Sequence, residues 1–248
     1  MTKEIVEHRL NIPPDYQYYA LQKGKCFQKQ WHRNRLILIE ELHFLNLRAV
    51  VADIGCGSGN VVFAFAGKVK SIVGFDYNTE SVEFLATKIK SDGIINSDAS
   101  TLDILDAVPE LYRNKFDKII FNEVIEHFDK SEVETVLSNL SKMLKTGGEI
   151  LITTPNYGIS PWTLIELLID KFKMFPALLG EQHRVKFTLA GLESYCKSAG
   201  FFIKRKGTFS LLSVLLAVFG AKFAEYIVKV EVNHLKYFGP QIFLVARK

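Results

Sequence analysis

Apolar positions in this chain fall into two patterns that alternate from residue 50 onward. Short runs dominated by Val, Ile and Phe occupy 50–54, 71–76, 93–98, 116–122 and 149–154, and several of them close on Asp or Asn. Runs of this length and composition read as strands buried on both faces, as in a parallel sheet. Between them, apolar residues recur at intervals of three and four, as Val82, Leu85, Ala86 and Ile89 do within 79–90. That spacing predicts helices that lay one face on the sheet. Strands alternating with helices of 10–15 residues predict a doubly wound α/β fold. A further helix over 131–145, ended by Thr146-Gly147-Gly148, fits the series. Thr188 reads as the N-cap of another, Ala199-Gly200 as its stop, and 202–209 and 241–246 as closing strands.

The first strand runs into Asp53-Ile54-Gly55-Cys56-Gly57-Ser58-Gly59-Asn60. Glycine at alternate positions after a buried strand lets a ligand approach the backbone, and a helix starting near Asn60 would aim N–H groups at an anionic part of it. The dinucleotide fingerprint is Gly-x-Gly-x-x-Gly; here the order is Asp53-x-Gly55-x-Gly57-x-Gly59. This arrangement resembles motif I of the class I S-adenosylmethionine (SAM)-dependent methyltransferases. With Asp76, Asp98 and the strand 116–122, the resemblance spans about 50–156 and extends more loosely toward both ends. It implies a mostly parallel seven-stranded sheet with an antiparallel last strand and a helical lid. It also implies S-adenosyl-L-methionine as cofactor, with Asp53, Gly55, Cys56, Gly57 and Gly59 near the methionine part. Asp76 and Tyr77 would then meet the ribose, Asp98 and Ala99 the adenine, and Asn122 and Glu123 the sulfonium. An acidic residue about 20 positions beyond the glycine loop suits ribose hydroxyls on general grounds; capping of the next helix is the plainer role for Asp76. Cys56 is expected to be a small structural residue.

One domain over 1–248 is expected, with a helical cap at 1–47 and two insertions, 157–187 and 207–235, forming a lid over the acceptor pocket. Within the cap, Pro13-Pro14 and Tyr16, Tyr18 and Tyr19 suggest an extended entry. Phe27, Trp31, Leu36 and Ile39 then predict an amphipathic helix. Its basic residues, Lys23, Lys25, Lys29, Arg33 and Arg35, are read either as a solvated face or, at Arg33 or a nearby tyrosine, as closing over the SAM carboxylate. In the insertions, 159–175 and 210–230 read as apolar helices, and Trp162, Phe172, Phe175, Phe209 and Phe219 as core or as pocket lining.

The net charge of +4 is too mild for a nucleic-acid binder. Three scattered cysteines without a Cys-x-x-Cys argue for a reducing compartment. The charged first residues do not read as a secretory signal, and the longest uncharged stretch, 207–221, falls short of the roughly 20 residues a spanning helix needs. A cytoplasmic protein is expected, with contact between 207–221 and a membrane surface or lipid left open.

Glu123-x-x-Glu126-His127 follows strand four at helical spacing, which would place all three side chains on one face where an acceptor meets the methyl group. An oxygen acceptor must lose a proton, which calls for a base or a metal. Asn-Glu-Val-Ile-Glu-His resembles the quinone-biosynthesis O-methyltransferases, whose Glu-x-x-Glu-His is linked to a divalent cation. It also resembles the small-RNA 2′-O-methyltransferases, and His183, ahead of Phe187-Thr188, matches the second histidine of their set. The resemblance thus implies Glu123, Glu126, His127 and His183 as ligands of Mg²⁺ or a similar ion. His127 as a metal-free base, assisted by Glu123 and Glu126, or as part of the pocket wall, are the alternatives. The expected reaction is methyl transfer to oxygen in a small apolar or glycosidic molecule. Its rivals are an RNA 2′-O-methyltransferase and a SAM-binding protein without activity. A nicotinamide dehydrogenase is disfavoured by the glycine spacing and the lack of a Tyr-x-x-x-Lys after strand four.

Overall fold

The computed structural model describes residues 13–172 and 183–248. Seven strands form one sheet: β1 Val50–Ile54, β2 Ser71–Asp76, β3 Ser97–Thr101, β4 Phe116–Asn122, β5 Leu144–Pro155, β6 Phe202–Phe209 and β7 Gln241–Arg247. They are ordered β3-β2-β1-β4-β5-β7-β6. Neighbours are parallel from β3 to β5, and β7 runs antiparallel to β5 and β6. Strand order reverses between β1 and β4, so the loops leaving those strands open a crevice at the carboxyl edge.

The helices are α1 Tyr16–Lys23, α2 Cys26–Glu41, α3 Asn60–Phe65, α4 Thr79–Ser91, α5 Lys130–Met143, α6 Trp162–Phe172, α7 Leu189–Ser198 and α8 Ala221–His234. Side chains alternate along each strand, so an apolar run feeds two cores. Ile119, Phe121, Ile150 and Ile152 cluster with Val136 and Leu140 of α5 and Leu192 of α7. Ile120 and Leu151, one position away, cluster with Leu38 of α2, Val62 of α3, Leu85 of α4 and Val228 of α8. A sheet sandwiched in this way needs strands apolar at every position, which is why the runs do not alternate with polar residues.

Five expectations are corrected. Tyr16, Tyr18 and Tyr19 lie on a helix; the chain breaks at Gly24, where a Cβ would stand 2.2 Å from the Ala20 carbonyl oxygen, and α2 begins after it. The third strand starts at Ser97, not at 93, and pairs Asp98 with Val73 and Thr101 with Asp76. Gly147 does not cap α5: the helix ends at Met143, and Gly147, at φ +77°, lies inside β5. Residues 210–230 are not one helix, because a 3₁₀ turn (Leu215–Phe219) gives way to α8 across Gly220 at φ +122°. Glu123, Glu126 and His127 do not share a helical face: Glu123 has φ +54° and only a 3₁₀ turn, Ile125–His127, follows it. The expected residues 1–12, and 173–182 with Phe175, lie outside the described residues. Of the other aromatics, Trp162 and Phe209 are buried and Phe219 is exposed.

At the opposite edge of the sheet, Glu149 accepts from Lys118 (2.6 Å), Lys204 (2.5 Å) and Arg247 (3.1 Å), tying β4, β5, β6 and β7 together. These three cations override the effect of burial and hold its carboxyl down at about 2. A folded-state pKa below the unfolded value stabilises the fold above about 4.5 and stops doing so as pH falls through about 2. Glu149→Gln is therefore expected to cost about 1.5–3 kcal/mol at pH 7, the range for hydrogen bonds to a charged group. The difference from wild type should shrink in urea titrations repeated down to pH 2–3.

Candidate active site

The loop after β1 is held open by backbone geometry. Gly55 and Gly57 have φ +72° and +48°, and the N–H groups of Gly55 and Cys56 both donate to the Phe75 carbonyl oxygen at the end of β2. A Cβ on Gly55 would meet Val124 Cγ2 at 2.4 Å, so the loop after β4 packs directly against it. Asp76 Oδ2 accepts from Gly57 N–H (2.8 Å) and its Oδ1 from Asn78 N–H (2.9 Å), locking the two strand tips together. Asn78, not Asp76, caps α4, accepting from Glu80 and Ser81 N–H. Cys56 is buried, and burial pushes its thiol well up, which suits a structural residue.

α1 roofs this loop. Ser58 Oγ donates to the Pro14 carbonyl oxygen and Asn60 Nδ2 to that of Gln17, both at 2.8 Å. Tyr18 packs edge-on against Phe63 and Phe84. The Gln17 side chain lies over Gly57, where an added Cβ would stand 2.5 Å from Gln17 Oε1.

Beneath the roof, polar atoms are buried without hydrogen-bond partners: Asp53 Oδ2, Asn122 Nδ2 and Glu123 Oε1. Burial, and then the charge of Asp76, push the Asp53 carboxyl up to about 7. Asn122 accepts from Thr153 Oγ1 (3.2 Å), and Glu123 N–H donates to the Thr153 carbonyl oxygen (3.0 Å), fixing the exit of β4 on β5. The positive φ of Glu123 is rare for a residue with a side chain and marks local strain.

Glu126 is almost fully buried, accepting from Thr154 Oγ1 at 3.0 Å, and its carbonyl oxygen accepts from Val185 N–H. Burial, with the charge of Glu123 second, pushes its carboxyl well above the usual range. The imidazoles of His127 and His183 have centroids 5.4 Å apart. One ligand atom from each of Glu126, His127 and His183 can lie within 4.8 Å of the other two; Glu123 is not in this group.

His183 is oriented from behind. Tyr157 Oη stands 2.6 Å from both His183 Nδ1 and Glu166 Oε1, and His183 Nδ1 lies 3.1 Å from Glu166 Oε1. Burial and Glu166 raise the Tyr157 hydroxyl, so it stays protonated as a donor. Trp162 lies 6.1 Å from His183 between ring centroids and stacks on Trp31 of α2 at 5.4 Å.

Four consequences for the expected residues stand out. Asp98 is exposed and sits three positions short of the β3 tip, with its Oδ1 accepting from Ala99 N–H. The tip level is Thr101, and Leu102 N–H donates to the Asp76 carbonyl oxygen. The charge of Arg35 favours the charged forms of Asp53 and Glu126, whereas that of Arg33 acts on Glu225. Arg35 Nη2 lies 2.6 Å from His32 Nδ1, and burial with the Arg35 charge pushes His32 down to about 3, so it is neutral. Arg35, Tyr157 and Glu166 escape a motif-based reading. The available signal was that Arg35 follows Trp31 by four positions and so shares its helix face.

A family model described as a methyltransferase domain matches residues 46–193. The human protein "EEF1A lysine methyltransferase 2" is 30% identical over 186 residues, covering 73% of this chain and 76% of its own. The "ubiquinone biosynthesis O-methyltransferase" of Brucella anthropi is 27% identical over 58% of this chain and 52% of its own. Among solved structures, a SAM-dependent methyltransferase from Archaeoglobus fulgidus superposes with a TM-score of 0.61 at 19% identity, covering 94% of this chain and 99% of its own. The [4+2]-cyclase SpnF also superposes with a TM-score of 0.61, at 17% identity over 88% of this chain and 81% of its own, so the fold alone does not fix the reaction.

The raised pKa of Asp53 has a defined sign in solution. A folded value near 7 against an ordinary 3.8 means that Asp53 favours folding most below pH 4 and that this contribution is lost as pH rises through 7. Asp76 and Glu126, also raised, act in the same direction. Thermal melts of the ligand-free chain are expected to show Asp53→Asn melting above wild type at pH 8, with the gap closing toward pH 4. An unchanged gap would refute the buried, unpartnered carboxyl.

Proposed function

The chain belongs to the class I SAM-dependent methyltransferases, and we propose that it moves the methyl group to a hydroxyl oxygen of a small apolar acceptor, with His127 taking the proton. The observation that carries this is the pairing of orphaned buried polar atoms at the β1 and β4 tips with two imidazoles next to them.

These residues fit SAM on their own chemistry. Asp53 Oδ2 and Glu123 Oε1 are unpartnered acceptors suited to a cationic ligand, and Asn122 Nδ2 is an unpartnered donor. Asp76, which accepts from the backbone N–H groups of Gly57, Asn78 and Tyr77, keeps a lone pair for a ribose hydroxyl. Arg35, whose charge acts on Asp53 and Glu126, would meet the carboxylate of SAM. When bound, SAM supplies an electrophilic methyl on a positive sulfur, a good leaving group. The protein's work is then alignment and proton transfer.

Acceptor binding falls to the wall made by Trp31, Trp162, Tyr157 and His183, which is aromatic with few polar points. A hydroxyl against this wall would meet His127 as base. His183, its Nδ1 engaged by Tyr157 and Glu166, would present its other nitrogen to the same region. The Glu126, His127 and His183 donors also suit a divalent cation, which would bind the acceptor oxygen and lower its pKa. A specific observation favours a second acceptor: the 30% identity to EEF1A lysine methyltransferase 2 supports a protein lysine, whose amine must equally lose a proton.

Two variants and two assays test the reading. Asp76→Ala is expected to weaken SAM at least about tenfold by titration calorimetry, as loss of charge-assisted hydrogen bonds predicts. His127→Ala should leave that affinity intact while lowering kcat by about 10²–10⁴, the usual worth of a general base. Assays with a dihydroxybenzene and with a lysine peptide separate the two acceptors. Turnover that survives chelator treatment supports the base, and turnover lost to chelation and restored by Mg²⁺ replaces it with the cation.

A further inference from the structure

A surface away from the crevice carries a second pattern that methyl transfer does not use. α8 is apolar on two sides. Ala224, Val228 and Val232 face the core, whereas Phe223, Tyr226 and Val230, spaced three and four apart, face outward. Phe219, at the end of the 3₁₀ turn before Gly220, is also exposed, at 74% beside 63% for Tyr226. Leu212, Leu215 and Val218 of the preceding turn are exposed as well. A soluble helix normally has one apolar side, and exposed patches of this kind mark interaction sites.

The chain holds this turn outward by a buried anchor. Glu231, on the core side of α8, accepts from the N–H groups of Ser210 (2.9 Å) and Leu212 (2.5 Å) and from Ser213 Oγ (3.0 Å). From the α2 side, Asn34 Nδ2 donates to Ser210 Oγ and Ser213 Oγ. The turn is thus fixed with its polar atoms inward and its leucines out.

Charge selects the partner. Between 210 and 238 the exposed basic residues are Lys222, His234 and Lys236, no acid is exposed, and the half-buried Glu225 pairs with the half-buried Lys229. Aromatic and aliphatic side chains rimmed by lysines whose stems can extend past them match an anionic lipid surface, which offers both acyl chains and phosphates.

We infer that the face formed by Leu215, Phe219, Phe223 and Tyr226, with Lys222 and Lys236 at its rim, docks peripherally on anionic lipid bilayers. No helix among the described residues is long and apolar enough to cross one. The inference does not depend on the acceptor or on catalysis.

The test is co-sedimentation of the full chain with phosphatidylcholine vesicles, with and without phosphatidylglycerol, beside a vesicle-free control. The chain should pellet with the phosphatidylglycerol vesicles, and added salt should weaken binding. Phe219→Glu with Tyr226→Glu should abolish it, and Lys222→Glu with Lys236→Glu should lower the partition coefficient at least about tenfold. SAM affinity and circular dichroism should stay at wild-type values in both variants, because the four residues are exposed. Wild-type protein that stays in the supernatant, or the first pair pelleting as wild type does, overturns the inference. So does a dimer seen by light scattering and dissolved by that pair without vesicle binding, which would assign the face to a second copy.

Discussion

Taking a carboxylate out of water without a partner is costly enough that the group protonates or waits for a cation. This chain buries Asp53 and Glu123 at neighbouring strand tips, each with an oxygen that nothing donates to, and raises Asp53 to about 7. Asn122 adds an unpartnered donor between them. Buried polar groups are nearly always satisfied in folded proteins, so three orphans around one glycine loop point to a ligand that completes them. The rest of the molecule serves to keep these groups in place.

Rigidity comes from the sheet. The Gly57 N–H to Asp76 bond and the shared Phe75 carbonyl fasten the first two tips, and Thr153 and Thr154 fasten the exit of β4. Two helices ahead of the sheet then close the site from outside. α1 lays Gln17 over Gly57, and α2 sets Trp31 against Trp162 with Arg35 one turn further on. The β1 side of the crevice is thus built of backbone and carboxylates, and the side facing α2 and α6 of rings. One set suits a polar cation and the other an apolar molecule.

The split also explains why relatives and structural neighbours diverge in what they act on. The chain is similar in sequence to a protein named a lysine methyltransferase and to one named an O-methyltransferase, and in fold to a cyclase.

Much of the architecture is written locally. Strands β1, β2 and β4 appear at their observed boundaries in the runs of Val, Ile and Phe, and the glycines of motif I announce their turn, because burial on two faces and positive φ each demand particular residues at particular places. Register is not local: β3 begins at Ser97, so Asp98 lies short of the edge where its place in the sequence suggested it should be. Nor is helical spacing evidence of a helix after β4, where the positive φ of Glu123 turns the chain and sends Glu126 inward to Thr154. The choice of Arg35 over Arg33, and the meeting of Tyr157, Glu166 and His183, depend on how α2 and α6 pack on the sheet. The sequence by itself determined which strand tips carry glycine and carboxylate, since backbone sterics and burial act residue by residue. Only the tertiary structure decided which side chains face one another across the crevice, because that follows from contacts between segments far apart in the chain.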